Sequence, residues 1–356
     1  MNREFWRGKR VFLTGHTGFK GGWLALWLVD MGAEVHGYAL TPPTEPNFFT
    51  VCGLEASLKS STIAEIRDAE KLTRTMQAAK PEIVLHLAAQ PLVRYSYTAP
   101  VETYAINVMG TVNLLEAVRA TPGVRAVVNV TTDKCYENHE GIWPYRENEA
   151  MGGYDPYSSS KGCSELVTAA YRRSYLEPAG IRLASARAGN VIGGGDWAND
   201  RLIPDFLRAL DAGQTLIIRS PKATRPWQHV LEPLFGYVTL AEKLYTEDNK
   251  YSEAWNFGPE EAEVRSVEWI LDHLCSGNPA ATWQCNTAPQ LHEANDLKLD
   301  SSKAKARLGW CPRWNLENAL GKTLDWHNAW KRGADMHGVS LSQLHNYEAD
   351  AGRASR

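Results

Sequence analysis

Tyr157 and Lys161 stand four residues apart in the run Tyr157-Ser-Ser-Ser-Lys161, which puts a phenol and an ammonium on one face of a helix. A free tyrosine ionises near ~10. A neighbouring lysine charge favours the phenolate, and so does any other cation beside it. Such a pair can take a proton from a substrate hydroxyl while the carbon beneath gives up hydride. A second polar run, Thr131-Thr132-Asp133-Lys134, closes the apolar stretch Ala126-Val-Val-Asn-Val just upstream. In open parallel sheets, ligands sit beyond the carboxyl ends of such strands.

A third cluster, Gly15-His-Thr-Gly18-Phe-Lys-Gly21, follows the strand-like run Arg10-Val-Phe-Leu13 and opens a helical pattern. Glycines allow a tight turn and let main-chain N–H groups approach a pyrophosphate closely. The helix start adds partial positive charge. The setting points to a dinucleotide site, although the glycines are spaced three apart rather than as GxGxxG. The second strand, Glu34 to Leu40, ends without the carboxylate that bonds a ribose 2′-hydroxyl and without an arginine to meet a 2′-phosphate. The choice between NAD and NADP stays partly open, and the missing cation favours NAD.

The elements that must hold these groups alternate. Strands are expected at Arg10–Leu13, Glu34–Leu40, Ile83–Leu87, Ala126–Thr131 and Arg182–Ala186. Helices are expected at Trp23–Met31, at Thr98–Ala120 with apolar residues on one face, and at Tyr157–Tyr175. Strand–helix alternation implies right-handed crossovers and an α/β, Rossmann-like, doubly wound parallel sheet. After Gly189 the texture changes: Gly193-Gly-Gly195 and several prolines break the chain into shorter elements. Helices are expected near Pro204–Ala212, Leu231–Thr246, Ser266–Ser276 and Leu316–Arg332. The expected organisation is a cofactor domain over residues 1–187 and a smaller mixed α/β substrate lobe over 188–332, with room for exchanged segments. The polar tail, 333–356, is expected to be loosely held or to touch a partner subunit. Trp23 and Trp27, and Trp326 and Trp330, have helical spacing that suits core packing.

The chain has 356 residues, 38 Lys+Arg against 41 Asp+Glu, and a formal charge of -3. That balance excludes a general nucleic-acid or membrane-surface binder, which needs a basic surplus. Any anionic ligand must therefore be held by a local device. No apolar run approaches the ~18–20 residues of a membrane helix. The polar stretch from Met1 to Arg10 has no signal-peptide pattern. Six irregularly spaced cysteines without a CxxC pair suggest neither a disulfide framework nor a metal site. These features fit a reduced, cytoplasmic compartment.

The GxxGxxG loop paired with YxxxK resembles the extended short-chain dehydrogenase/reductase family, and the likeness spans nearly the whole chain to about residue 330. It implies NAD bound by Gly15, Thr17, Gly18, Phe19 and Gly21, by Leu87, Ala88 and Ala89, and by Tyr157 and Lys161. Glu65 and Ile66 stand where the family's adenine-contacting Asp-Ile pair falls. Within the family, epimerases carry no acid after the strand-end Ser/Thr, whereas sugar-nucleotide 4,6-dehydratases carry Thr-Asp-Glu or a variant. Thr132-Asp133-Lys134 followed by Cys-Tyr-Glu-Asn, with Gly189-Asn190-Val-Ile-Gly-Gly-Gly-Asp-Trp197 and Arg225-Pro-Trp-Gln-His229, is similar to the dehydratases that act on CDP-glucose.

The resemblance implies roles. Tyr157 takes the proton of the sugar 4-hydroxyl, Thr132 bonds the 4-oxygen, and Asp133, when protonated, is the acid for the departing 6-hydroxyl. Lys134 stands where the wider pattern has a Glu as C5 base. It acts either as a neutral base or as a charged stabiliser of the C5 enolate. Asn190, Arg201, Arg219, Arg225 and, more weakly, His229 are expected around the diphosphate, and Arg187 is a further candidate. A second arginine that related dehydratases carry is missing from His292-Glu-Ala-Asn-Asp296. Helices Thr98–Ala120 and Tyr157–Tyr175 commonly make a four-helix subunit interface in this family, which implies a homodimer or a tetramer. A nucleotide-sugar 4-epimerase, a non-catalytic dinucleotide-binding protein and a dehydratase acting on another nucleotide sugar are the rival readings. Asp133 argues against the first, and the intact Thr132, Asp133, Tyr157 and Lys161 set argues against the second.

Overall fold

The strand β1 (Arg10–Thr14) rises into the glycine loop, and α1 (Phe19–Asp30) carries the chain back to β2 (Glu34–Ala39) in a computed structural model that describes residues 1–247, 249–286 and 297–354. There follow β3 (Ser60–Ile63), α2 (Ala69–Ala79), β4 (Ile83–His86), α3 (Gly110–Arg119), β5 (Ala126–Val130), α4 (Pro156–Tyr171) and β6 (Arg182–Ala188). Then come α5 (Leu202–Ala212), α6 (Leu231–Thr246), β7 (Ala254–Phe257), α7 (Val267–Ser276), α8 (Leu316–Lys331) and α9 (Met336–Ala354). One seven-stranded sheet runs β7-β6-β5-β4-β1-β2-β3, and every pairing in it is parallel. This is the doubly wound parallel sheet that the alternation predicts.

Both faces of the sheet are covered at its centre, so β4 and β5 are buried along their whole length, while the edge strand β3 is polar. The period of two sends Val11, Leu13, Ile83, Leu85 and Val128 to one face, against Trp23 and Trp27 of α1 and Leu234 and Val238 of α6. Phe12, Val84 and Val127 point the other way, against Leu72 and Met76 of α2 and Leu114, Leu115 and Val118 of α3. The later part of the chain has a core of its own, in which Phe206 and Leu207 of α5 meet Leu216, Ile218, Ile270, Leu271, Leu316 and Leu320.

Several expectations change. The pattern read as one helix over Thr98–Ala120 breaks at Pro100, because the residue before a proline is pushed out of helical geometry. Ala99 sits at φ -132, ψ 58, and a π turn at Ala105–Met109 precedes α3. The sheet takes back α6 and β7 from beyond residue 187: Ala254 pairs with Ser185 and Phe257 with Ala188. The tail is not loosely held. It forms α9, which buries Met336, Leu344 and Tyr347 in the main core. Its polar residues are tied in as well: Trp27 Nε1 donates to Glu348 at 2.8 Å, and Trp326 Nε1 to Ser340 Oγ at 2.9 Å. Among the described residues, no helix is long and apolar enough to cross a membrane.

Candidate active site

The glycine loop is built by two close approaches. Gly15 has φ +76, and a Cβ there would lie 2.8 Å from Ala88 N. A Cβ on Gly21 would lie 2.0 Å from Gly15 O, so the helix start can pack against the turn only through glycine. Gly18 caps α1 without a side-chain hydrogen bond, which leaves the first-turn amides for a ligand. Gly15, Thr17, Gly18, Phe19 and Gly21 line a cavity of ≈ 670 Å³ together with Glu65, Ile66, Leu87, Ala88 and Ala89. These features fit the pyrophosphate of a dinucleotide. Tyr38, unmarked in the sequence reading, closes the same end, and its hydroxyl donates to Glu65 O at 2.9 Å. Glu65 itself pairs with Arg67 at 2.8 Å.

The same cavity receives Thr132, Asp133, Lys134, Tyr157 and Lys161. Asp155 caps α4 by accepting from Ser158 N at 2.9 Å, and Pro156 takes the first helical position. That start fixes Tyr157 in the first turn and Lys161 one turn on, where Lys161 Nζ donates to Val130 O at 3.4 Å. Burial raises the Tyr157 pKa to about 12, while the Thr132 hydrogen bond and the Arg201 charge pull the other way. Burial lowers Lys161 to about 8, opposed by Glu165 and Cys135. Each buried group thus resists its charged form until a partner of suitable charge arrives.

Asp133 and Lys134 follow β5 on a single 3-10 turn, Asp133–Cys135, capped by Thr132, whose Oγ1 accepts from Lys134 N at 3.4 Å. Thr132 Oγ1 also donates to Asp133 Oδ1 at 3.0 Å, while Asp133 Oδ2 is buried without a hydrogen-bond partner. Lys134 Nζ lies 3.8 Å from Asp133 Oδ1 and 3.5 Å from Asn190 Oδ1. A hydroxyl, a carboxyl, an amine and a phenol therefore converge at the carboxyl end of β5. This set can move protons to and from several atoms of one substrate.

The cations divide. Arg201, Arg219 and Arg225 line the cavity with Asn190. Arg201 pairs with Asp196 at 2.9 Å, Arg219 with Asp200 at 3.2 Å, and Arg225 Nη1 donates to Thr224 O at 2.9 Å. His229 is not brought there. It is fully buried between Trp23 and Trp314, with its Nδ1 accepting from Leu231 N at 3.3 Å, and burial lowers its pKa to about 3. Arg187 also lies elsewhere, paired with Glu165 at 2.8 Å. The expectation about His292–Asp296 falls outside the described residues. Lys20, given no role by the sequence, lines the cavity and donates from Nζ to Tyr237 OH at 3.4 Å. Burial lowers it to about 7, and Arg201 and Lys161 push the same way. A cation inside a glycine loop at a helix start was the signal that could have found it.

Comparison with known proteins bears on this geometry. A model of the family described as GDP-mannose 4,6 dehydratase matches residues 12–323. The chain is 56% identical over 353 residues to the CDP-glucose 4,6-dehydratase of Salmonella typhimurium, covering 98% of each chain. It is 27% identical over 345 residues to a dTDP-glucose 4,6-dehydratase of Xanthomonas campestris, covering 90% of this chain and 94% of the relative. Two solved structures share the fold. DesIV, a dTDP-glucose 4,6-dehydratase from Streptomyces venezuelae with NAD and TYD bound, has a TM-score of 0.77 at 23% identity, covering 92% of this chain and 99% of its own. The UDP-glucose 4-epimerase of Thermotoga maritima with UDP-glucose also has a TM-score of 0.77 at 23% identity, covering 89% and 98%. The fold therefore serves dehydratase and epimerase alike, while the family model and the 56% relative separate them: the chain belongs to the GDP-mannose 4,6-dehydratase family.

Proposed function

We propose that this protein is an NAD-dependent hydro-lyase that converts CDP-glucose to CDP-4-keto-6-deoxyglucose. The observation that carries the reading is Asp133, a buried carboxyl with one unpartnered oxygen, beside Thr132, Lys134 and the Tyr157–Lys161 pair. A 4-epimerase has no use for an acid at the 6-hydroxyl. The likeness to the Salmonella enzyme supports CDP-glucose over other nucleotide sugars.

Gly15, Thr17, Gly18, Phe19 and Gly21 would hold NAD, which when bound would supply the acceptor for the hydride of sugar C4 and its return to C6, so that the reaction has no net redox change. Tyr157 takes the proton of the 4-hydroxyl, its phenolate favoured by the Lys161 charge. Thr132 bonds the 4-oxygen. The ketone at C4 acidifies the C5 hydrogen. Lys134 removes that proton as a neutral amine, or as an ammonium it holds the enolate charge while a water molecule takes the proton. Asp133 gives its proton to the departing 6-hydroxyl, water leaves, and a C5=C6 double bond conjugated to the ketone remains. A proton returned to C5 completes the product. Asn190, Arg201, Arg219 and Arg225 hold the diphosphate, the local device that lets a chain of charge -3 bind an anion.

The enzyme works in the cytoplasm and supplies deoxysugars for surface polysaccharide, O-antigen included. It assembles as a homodimer, with a tetramer as the next size, through the faces that expose Val101, Tyr104 and Met109 before α3, and Leu166 on α4. The test is incubation with CDP-, dTDP-, GDP- and UDP-glucose, each with NAD⁺ or NADP⁺. Formation of a 4-keto-6-deoxy product from CDP-glucose supports the reading, and clean inversion at C4 overturns it.

A further inference from the structure

Glu165 and Arg187 lie outside the cavity, yet both flanks of the Asp133–Cys135 turn end on them. Upstream, Thr131 Oγ1 donates to Glu165 Oε1 at 2.5 Å. Downstream, Tyr136 OH accepts from Arg187 Nη1 at 2.7 Å and donates to Asn256 Oδ1 at 2.8 Å. The loop closes through Arg187 Nη2 on Glu165 Oε2 at 2.8 Å, with Ser185 Oγ donating to the same oxygen at 2.6 Å. Arg187 Nη1 further donates to Glu147 O at 3.1 Å. Thr131, Tyr136, Glu165, Arg187 and Asn256 are all buried.

A buried ion pair is a weak stabiliser, because desolvation offsets most of the Coulomb gain. Its bonds are nonetheless directional, and here they fix two chain segments at once. Tyr157 and Lys161 have no need of this help, since the Asp155 cap and the body of α4 hold them. Asp133 and Lys134 differ: their turn has three residues, tied locally by the two bonds of Thr132 at 3.4 and 3.0 Å and by Gly152 N on Cys135 O at 2.9 Å, and the segments on either side of it carry the rest of its placement.

We propose that the Glu165–Arg187 pair, acting through Thr131 and Tyr136, is a positioning device for Asp133 and Lys134, so that it governs the elimination and not the oxidation at C4. This rests on the dehydratase reading above. Misplacement of a reacting group by about 1 Å can cost ~10²-fold.

Thr131→Val and Tyr136→Phe each remove one hydroxyl of the clamp. The second keeps the aromatic ring that stacks on Tyr145 at 5.1 Å. Arg187→Lys keeps the charge but not the fork. With CDP-glucose and NAD⁺, single-turnover experiments follow oxidation at C4, hydrogen exchange at C5 in deuterated water, and release of the 6-deoxy product. Oxidation should stay close to the parent rate, while C5 exchange and product release fall by ~10–100-fold and the 4-keto hexose accumulates. An equal fall in every step, or none, overturns the proposal. If the parent enzyme itself forms no 4-keto product, the dehydratase reading fails instead. The clamp is then judged by backbone amide exchange: residues 131–137 must exchange faster in the variants while residues 157–165 do not, and unchanged protection at 131–137 overturns it.

Discussion

Gly189 keeps open the space beside Asp133: a Cβ at Gly189 would lie 2.9 Å from Asp133 Oδ2 and 2.6 Å from Pro226 Cγ. The oxygen so spared is the one that is buried without a hydrogen-bond partner. Two substitutions separate its chemistry from its placement. Asp133→Asn keeps the shape and removes the transferable proton, so elimination should slow by ~10²–10⁴-fold while oxidation at C4 persists. Gly189→Ala keeps the carboxyl and crowds it, with a loss of ~10²-fold in the same step. Product analysis after a single turnover reads both, and an Asn variant that releases product at the parent rate would show that Asp133 is not the acid.

Lys134 Nζ is shared between Asp133 and Asn190, at 3.8 and 3.5 Å. Lys134→Met should cut C5 hydrogen exchange by ~10²–10⁴-fold. Near-normal exchange would exclude both of its roles. Lys134→Arg then tells them apart: an arginine cannot act as a base but keeps a charge near the enolate. Exchange lost with Arg marks a base, and exchange partly retained marks charge stabilisation.

The Tyr157–Lys161 pair, in its proposed role, should set the pH dependence of the first step. Burial lowers Lys161 to about 8, so its charge is present below that pH and is lost above it. With the charge goes the support for the Tyr157 phenolate, itself pushed up to about 12 by burial. The rate of oxidation should therefore fall as pH rises through about 8. Lys161→Arg keeps its charge throughout this range and should remove the alkaline limb, whatever it does to the maximum rate. A pH–rate profile for C4 oxidation checks this; an identical limb in both enzymes would assign it to another group.

Val101 is 83% exposed and Leu166 60%, on the two helical faces proposed above for a subunit contact. Apolar side chains this open are covered in a dimer and expensive to replace there by charge. Val101→Glu with Leu166→Glu should give a monomer in sedimentation velocity and leave the far-ultraviolet circular dichroism unchanged. A dimer that survives both substitutions places the interface elsewhere.

The residues proposed for catalysis could be picked out because they sit in short runs at strand ends and helix starts, where local pattern fixes position. Gly15, Thr132 and Tyr157 needed no knowledge of distant contacts. The edge strand β3, Ser60-Ser-Thr-Ile63, was not legible, since it is polar and its outer edge faces water. β7 was missed for another reason: it is four residues long and is defined by pairing with β6, whose residues lie some seventy positions earlier. The helix α9 looked featureless because much of its inward face is polar, with Ser340 and Gln343 buried on specific partners. Arginines were the least legible group. Their reach lets one type of side chain serve a cavity, as Arg201 does, or a buried ion pair, as Arg187 does.

Tyr347 fastens α9 to the start of α6 through Glu232, whose carboxyl accepts from Tyr347 OH at 2.7 Å, Trp314 N at 2.8 Å and Arg313 N at 3.1 Å. Burial raises Glu232 to about 7, and these three bonds hold it from rising further. In the unfolded chain a glutamate ionises near ~4.3. Between that value and about 7 the folded protein holds more protons than the unfolded one, so stability from this group falls as pH rises across the window. Glu232→Gln removes the titration and should flatten the fall in Tm over the same range. Tyr347→Phe leaves the carboxyl in place but removes one of its donors, which should cost ~0.5–1.5 kcal/mol and make the end of the chain more sensitive to protease. Parallel curves of Tm against pH for the parent and Glu232→Gln would mean that this carboxyl does not titrate in the folded state within that window.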